Sequence, residues 1–245
     1  MEKVSSHRQE IYARYATNFQ DSPLTFDESG ACRWAKAAEY YLHGLLPAEK
    51  DAKIVDLACG RGWLLYFFQK KGYKNLKGVD ISPEQIEISR QVVSDVEERD
   101  VLDFLKQHSE EFSLITAFDL VEHFQKPEAL EFLKLCHTSL KPGGRLILHT
   151  PNADSPFGMA SRYGDFTHEI GFNVNSLLRL MRLTGFTQIE ARETGPVPYG
   201  YSIASSLRFI LWQAIRFLIT TWNLVETGGR ESKILTRNFL ITGTK

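Results

Sequence analysis

The sequence predicts an α/β fold built on a seven-stranded, mostly parallel sheet with an antiparallel last strand. From Lys53 to Thr150, short β-branched apolar runs alternate with segments of helix length, and this alternation is typical of a parallel sheet wrapped by helices. The first run, "KIVDLA", leads directly into the glycine turn "CGRG", and the loop after the first strand is a usual ligand contact in open parallel sheets. Both observations favour a ligand site at the carboxyl ends of the strands.

The individual elements can be placed along the chain. Strands are predicted for "KIVDLA", "NLKGVD", "EFSLITAF" and "GRLILHT", because each is a short apolar run of strand-forming residues. Helices are predicted after Trp63, Pro83 and Pro127, since proline suits the first position of a helix. A helix over 175–183 and strands at "FTQIEAR" and "NFLITGT" complete the sheet.

Three regions are expected. Residues 1–50 form an N-terminal helical cap, in which the helical pattern "WAKAAEYYLHGLLP" stops at Pro47. Residues 51–194 and 238–245 form the sheet domain. Residues 195–237 form an amphipathic helical insertion before the last strand.

Composition excludes several classes of function. The 245 residues carry a formal net charge of −1 with acids and bases intermixed, so no basic surface for nucleic acid is expected. The three cysteines are too few and scattered for a disulfide framework, and the charged N-terminus does not resemble a secretory signal. A reduced, cytoplasmic protein without a structural metal site is expected.

The turn after the first strand indicates which ligand is bound. Gly60 and Gly62 allow a tight turn, and Asp80, which ends the second strand, is placed to accept hydrogen bonds from both hydroxyls of a ribose. Dinucleotide sites use G-x-G-x-x-G, whereas Leu65 stands where the third glycine would fall. Asp56 before the turn would repel a pyrophosphate and suit an ammonium group, such as that of S-adenosylmethionine.

At this level of detail the chain resembles a known family. The segments "VDLACGRG", "GVDIS", "ERDVLDFL", "FDLVEH" and "LKPGGRLIL", in this order and spacing, are similar to the successive motifs of class I S-adenosylmethionine-dependent methyltransferases. The resemblance implies a Rossmann-like fold and S-adenosyl-L-methionine as cofactor. The chain departs from the family at Ala58, where a glycine is usual.

The resemblance also implies roles for individual residues, in four groups. The methionine end of the cofactor would contact Asp56, Ala58, Gly60 and Gly62, the ribose Asp80, the adenine Ile81, Asp100 and Val101, and the loop below the methionine Phe118, Asp119, Leu120 and His123. Two of these residues have a purely structural alternative: Asp100 as a solvated turn residue and Asp119 as the N-cap of a helix.

A catalytic base is predicted in the long connection "PNADSPFGMASRYGDFTHEIGFN", because structureless connections of this length are usually functional. His168 is the candidate base, since histidine titrates near neutrality, and Asp165 is the candidate that orients it. The alternative for His168 is a structural hydrogen bond that holds the loop. Asp165, His168 and Glu169 are too weak a set to predict a metal, so none is expected.

The insertion contains the segment "IASSLRFILWQAIRFLITTWNLV". Arg208 and Arg216 divide its apolar residues, so no membrane-spanning helix is expected. One wide face is apolar and a narrower face is polar, as in a helix that lies in a membrane interface. The alternative is a lid that packs on its own domain or on a second subunit of a homodimer.

The acceptor is predicted from the resemblance of three segments outside the cofactor motifs. "RYGDFTHEIGFN", "GPVPYG" and the arginine-containing apolar helix resemble bacterial methyltransferases associated with surface-polysaccharide biosynthesis. This implies O-methylation of a sugar hydroxyl on a glycan or lipid-linked glycan, at the cytoplasmic face of the inner membrane if residues 203–225 bind there. The alternatives are a quinone or small aromatic O-methyltransferase and a non-catalytic cofactor-binding scaffold.

Overall fold

The computed structural model describes residues 6–18, 23–229 and 234–245. Its centre is one seven-stranded sheet in the order β3-β2-β1-β4-β5-β7-β6. The strands are β1 (Ile54–Leu57), β2 (Leu76–Asp80), β3 (Val96–Glu98), β4 (Phe112–Phe118), β5 (Leu140–Pro151), β6 (Thr187–Glu193) and β7 (Asn238–Thr244). β7 runs antiparallel to both its neighbours, while the pairs among β1 to β5 are parallel. The predicted Rossmann-like fold is confirmed.

The helices cover both faces of this sheet and one end of it. Three precede the sheet: α1 (Ser6–Ala13), α2 (Tyr15–Asn18) and α3 (Glu28–Tyr41). Four lie in the crossovers from β1 to β5: α4 (Trp63–Lys70), α5 (Pro83–Ser89), α6 (Val101–Leu105) and α7 (Lys126–Ser139). α8 (Gly158–Gly164) and α9 (Val174–Leu183) follow β5, and α10 (Ile203–Thr227) lies between β6 and β7. A single 3₁₀ turn, Val121–His123, follows β4.

Two apolar layers hold the sheet. One layer contains Ile115 of β4, Phe132 of α7 and Phe239 of β7, and the other contains the adjacent Leu114 together with Phe68 of α4. Neighbouring residues of β4 therefore point into opposite layers, as the two-residue period of a strand requires. Burial on both faces explains why these strands read as continuous apolar runs in the sequence.

Several element boundaries differ from the prediction. α3 begins near Glu28, six residues before the predicted pattern, because the Asp27 carboxylate accepts a hydrogen bond from the Gly30 amide at 2.9 Å and caps the helix. The long connection after β5 contains the short helix α8. The edge strand β3 has no apolar run of its own, so the sequence pattern did not delimit it.

The topology determines where a ligand site can form. β1 pairs with β2 on one side and β4 on the other, so the winding of the sheet reverses between β1 and β4. Loops diverge at such a reversal and leave a crevice beyond the carboxyl ends of the strands.

Candidate functional site

A cavity of about 410 Å³ occupies this crevice. Its lining contains both catalytic candidates and every predicted cofactor-binding residue except Asp56 and Gly62. Residues from α1, α2 and the segments after β2, β3 and β4 complete the wall, namely Arg8, Tyr12, Tyr15, Ser82, Gln85, Leu102, Phe124 and Glu128. The cap therefore closes one side of the cavity.

Asp80 forms the centre of the nucleoside end. One carboxylate oxygen accepts a hydrogen bond from the Gly60 amide at 2.9 Å, and the other accepts one from the Ser82 amide at 2.8 Å. The carboxylate thereby joins the turn after β1 to the loop after β2. Each oxygen can accept a further bond, and Asp80 lines the cavity, so the residues present fit a ribose with two free hydroxyls.

The turn after β1 has an unusual backbone. Ala58, Gly60 and Gly62 all have positive φ, at 54°, 51° and 80°. A Cβ at Gly62 would lie 3.2 Å from the Cβ of Ser89, so this glycine is required for packing of the turn on α5. The predicted contact of Gly62 with the cofactor is corrected to a structural role.

Asp56 is also displaced from its predicted role. Its carboxylate is buried and accepts a hydrogen bond from the Thr116 hydroxyl at 2.7 Å. Burial, with a smaller contribution from Asp80, raises the pKa of Asp56 to about 7. Asp56 therefore supports the turn from behind and does not line the cavity.

Asp100 caps a helix, whereas Asp119 does not. The Asp100 carboxylate caps α6, accepting hydrogen bonds from the Leu102 and Asp103 amides at 2.9 and 3.1 Å, and Asp100 also lines the cavity. Asp119 is not a helix cap, because its carboxylate lies 2.8 Å from Nδ1 of His149. Burial alone would raise the pKa of Asp119, but the adjacent His149 holds it below its usual value.

Two imidazoles, those of His123 and His168, line the opposite end of the cavity, and the buried carboxyl group of Glu122 lies next to them. Glu122 and His123 belong to the 3₁₀ turn after β4, and His168 comes from the connection after α8. Nε2 of His168 lies 4.0 Å from Oε1 of Glu122, and the two imidazole rings meet edge to face with centroids 4.7 Å apart. Burial, reinforced by the charge of Asp119, raises the pKa of Glu122 well above its usual value.

Asp165 does not orient His168, contrary to the prediction. Its carboxylate accepts hydrogen bonds from the Tyr15 hydroxyl at 2.8 Å and from the Thr167 hydroxyl at 2.6 Å. The Thr167 oxygen lies 2.8 Å from Nδ1 of His123, so Asp165 acts on His123 through Thr167. His168 is held instead by the Ser161 carbonyl, which lies 3.0 Å from its Nδ1.

The hydrogen bonds at Nδ1 set the tautomer of each imidazole. The Ser161 carbonyl can only accept, so Nδ1 of His168 carries the hydrogen and a neutral ring keeps its lone pair on Nε2. The Thr167 hydroxyl gives its hydrogen to Asp165 and therefore accepts from Nδ1 of His123. Burial, together with His168, lowers the pKa of His123 to about 4, which keeps this ring neutral.

The cap was missed as part of the site. Nη1 of Arg8 lies 3.0 and 3.1 Å from the two oxygens of Glu128, and its Nη2 donates to the His123 carbonyl at 2.7 Å. These partners lie more than a hundred positions away in the sequence, and no local pattern could indicate them. For Glu122 a signal existed: "EH" lies in the short segment that follows the buried strand β4.

α10 is oriented with its polar face inward. The Ser205 hydroxyl donates to the Val197 carbonyl at 2.7 Å, and Arg216 forms an ion pair with Glu193 of β6 at 3.0 Å. The apolar side chains point outward, and Leu211 and Leu218 are 63% and 65% exposed. The predicted alternative of a lid packed on its own domain is wrong for this face.

α10 is also both long and apolar. By length and composition it is apolar enough to cross a membrane, and 6% of its apolar window is buried. That it does not span a membrane stays a prediction.

Comparison with known proteins agrees with the geometry. A family profile described as "Methyltransferase domain" matches residues 27–191. A protein named ubiquinone biosynthesis O-methyltransferase from Xanthomonas oryzae pv. oryzae is 29% identical over 153 residues, which cover 55% of this chain and 63% of that protein. A protein of the same name from Xanthomonas axonopodis pv. citri is 28% identical over 155 residues, covering 56% and 64%. The chain thus matches less than two thirds of the length of these relatives.

Solved structures share the fold. A methyltransferase from Archaeoglobus fulgidus, described as dependent on S-adenosylmethionine, has a TM-score of 0.64 at 18% identity and covers 94% of this chain and 98% of its own. Phosphoethanolamine N-methyltransferase 2 from Haemonchus contortus, crystallised with S-adenosyl-L-methionine, has a TM-score of 0.58 at 14% identity, covering 96% and 60%. The chain belongs to the methyltransferase-domain family.

Proposed function

We propose that this enzyme methylates a phenolic hydroxyl of a quinone precursor whose apolar tail lies in a membrane. The observation that carries the choice of acceptor is the exposed apolar surface beside the cavity. The curated relatives are named for ubiquinone biosynthesis, which favours the quinone alternative over the sugar hydroxyl expected from the sequence. The scaffold alternative does not fit the enzyme family to which the chain belongs.

One end of the cavity would bind the cofactor and the other end the acceptor. Bound S-adenosylmethionine supplies an electrophilic methyl group, and the Asp80 end fits its ribose. The acceptor hydroxyl belongs at the other end, where His123 and His168 line the cavity and Nε2 of His168 lies 4.0 Å from the buried Glu122. Positioning of the acceptor and removal of its proton are the two contributions required of the protein. The role of His168 as base remains a prediction at this point.

An apolar rim leads toward the acceptor end. The exposed side chains of Phe157, Met159, Tyr163 and Phe166 surround the segment that carries Asp165 and His168. Phe157 also lines one groove with Arg208 of α10, so the rim adjoins the helix. A monomeric soluble surface rarely exposes apolar area of this extent without a binding role.

The membrane contact follows from the orientation of α10. Ser205 and Arg216 of its polar face are bonded to the rest of the chain, so the exposed leucines and aromatics are left for an apolar environment. A helix lying flat in the interface would bury this face in lipid. The enzyme would then take a lipid-borne acceptor from the cytoplasmic leaflet without extracting its tail into water.

The test is methyl transfer from labelled S-adenosylmethionine to three acceptors: a polyprenylated catechol in vesicles, a tail-less catechol and a lipid-linked glycan extract. We expect label in the polyprenylated catechol, with the tail-less catechol used at a much higher KM. His168→Ala should lower kcat at least tenfold, whereas His43→Ala, at an exposed position of the cap, should not. Label in the glycan fraction alone would reject the proposed acceptor.

A further inference from the structure

We propose that Glu122, His123 and His168 bind one first-row divalent metal ion at the acceptor end of the cavity. The binding site is inferred from the geometry of these three side chains alone. The role of the ion in catalysis rests on the proposed O-methylation. These ligands differ from Asp165, His168 and Glu169, the group that the sequence analysis considered and for which it predicted no metal.

The three ligand atoms already converge. One carboxylate oxygen and one nitrogen from each imidazole lie within 4.8 Å of one another, and the pair Glu122 Oε1 and His168 Nε2 is 4.0 Å apart. Bonds of about 2.1 Å to a shared ion place adjacent ligand atoms roughly 3.0–3.4 Å apart. The side chains need to approach by about 1 Å, which side-chain rotation on a fixed backbone can provide.

Both histidines are prepared as ligands by the residues behind them. The Ser161 carbonyl fixes the hydrogen of His168 on Nδ1, and Thr167, itself held by Asp165, does the same for His123. Nε2 of His168 is thereby left as a donor atom, and so is Nε2 of His123 when its Nδ1 donates to Thr167. Hydrogen bonds of this kind to the remote nitrogen accompany nearly all metal-binding histidines.

Glu122 lacks the partner that a buried carboxylate requires. Glu122 is 1% exposed, and its Oε2 accepts a hydrogen bond from the Thr150 hydroxyl at 2.9 Å. Its Oε1 has no hydrogen-bond partner within residues 6–18, 23–229 and 234–245. Buried polar atoms are generally hydrogen-bonded or coordinate metals, and this Oε1 is the atom that lies 4.0 Å from Nε2 of His168.

The backbone holds the two ligand segments together. The Glu122 carbonyl accepts hydrogen bonds from the Glu169 and Ile170 amides at 2.8 and 3.0 Å. Arg162 donates to the carbonyls of His168 and Glu169. His168 is therefore placed opposite Glu122 by main-chain contacts, which reduces the ordering that metal binding would otherwise require.

The ligand types narrow the choice of ion. Two imidazoles and one carboxylate suit zinc, iron or manganese, whereas magnesium and calcium prefer oxygen ligands. Three protein ligands leave coordination positions open toward the cavity. An acceptor hydroxyl bound there would have its pKa lowered by the ion and release its proton to solvent. Its oxygen then forms the bond to the methyl carbon, while the carbon–sulfur bond breaks and its electron pair stays on sulfur.

The ligand role changes the meaning of His168. A nitrogen that binds the ion has no lone pair left to accept a proton, so His168 positions the ion and the ion activates the acceptor. Loss of activity in His168→Ala fits a base and a ligand equally. Metal binding has to be measured directly to separate them.

The experiment is a titration of chelator-treated protein with Co²⁺, followed by visible absorption and by metal analysis after dialysis. We expect one Co²⁺ per chain, displaced by Zn²⁺. His168→Ala and Glu122→Gln should each weaken binding at least tenfold. Thr167→Val, which removes the hydroxyl that joins Asp165 to His123, should weaken it roughly tenfold. His108→Gln is the matched control. Nδ1 of His108 lies 2.6 Å from a carboxylate oxygen of Glu111, and neither residue lines the cavity.

S-adenosylmethionine binding shows that each variant is folded. Failure of the parent protein to bind Co²⁺, or equal binding by the parent and His168→Ala, would overturn the metal site. Stoichiometric Co²⁺ binding without methylation of any catechol would reject the proposed function and leave the site standing. Full activity after removal of the metal would reject its catalytic role while the proposed acceptor stands.

Discussion

Ala58 has a φ of 54° in the turn after β1, a conformation that costs an alanine about 1 kcal/mol or more relative to glycine. We expect Ala58→Gly to raise the free energy of unfolding by about 0.5–1 kcal/mol, because strain is removed and only one methyl group is lost. Urea unfolding measures the change. Ala117→Gly, in β4 with ordinary backbone angles, should instead be destabilising, and a similar loss at Ala58 would contradict the strain.

Asp56 contributes a pH dependence to stability. Burial raises its pKa from 3.8 to about 7, so the folded protein retains a proton that the unfolded chain releases. The free energy of unfolding therefore falls as pH rises from about 4 to about 7 and is constant above that range.

Asp56→Asn should remove this part of the pH dependence. The amide keeps an acceptor for the Thr116 hydroxyl, and the variant should exceed the parent in stability at pH 8 by roughly 2–4 kcal/mol. Urea unfolding from pH 4 to pH 8, without cofactor, gives the comparison. Asp95→Asn at the exposed edge should follow the parent. Parallel profiles for Asp56→Asn and the parent would show that Asp56 is ionised when folded.

At the scale of elements, α10 has the opposite orientation to an ordinary surface helix. Leu211→Gln with Leu218→Gln should reduce partitioning into vesicles about 100-fold, since each leucine would lose roughly 1.5 kcal/mol or more of apolar burial. Thermal stability should change little, because both side chains are exposed.

The matched control for α10 is Leu183→Gln. This leucine of α9 is 71% exposed but lies at the other end of the sheet, near the start of β6. Vesicle sedimentation compares the three proteins. Partitioning that is unchanged in the double variant, combined with loss of a dimer in size-exclusion chromatography, would assign the apolar face to a second copy of the chain.

Local sequence patterns predicted those elements whose partners are close in the chain. Strand periodicity and the turn after β1 located the Asp80 end of the cavity, because each needs only a few consecutive residues. The inward orientation of the polar face of α10 could not be predicted, since a helical wheel gives two faces without saying which one meets the protein. It is decided by Glu193, a residue of β6 that binds Arg216.

The acceptor end was predicted only in part. His168 was identified as a titrating residue in a long connection, but its orientation depends on Ser161 and on the Glu122 backbone. Asp165 was assigned to the wrong histidine, because sequence proximity favoured His168 while the fold places Thr167 between Asp165 and His123. Contacts between side chains of separate loops follow from the folded chain alone.

At the scale of the whole molecule, the cofactor should join parts that are distant in sequence. S-adenosylmethionine at 100 times its Kd should stabilise the protein by about 2.7 kcal/mol, which is roughly 5–10 °C in Tm for a domain of this size. Asp80→Ala should lose most of this shift, whereas Asp95→Ala should retain it. A full shift in Asp80→Ala, measured by differential scanning fluorimetry, would remove Asp80 from the cofactor site.

The contacts of Arg8 and Tyr15 set a condition on turnover. Arg8 is bonded to Glu128 and to the His123 carbonyl, and Tyr15 to Asp165, so residues 6–18 form one wall of the cavity. We expect exchange of the bound nucleoside to require that these hydrogen bonds break and re-form. A movement of residues 6–18, far in sequence from His168, would then limit the rate of turnover.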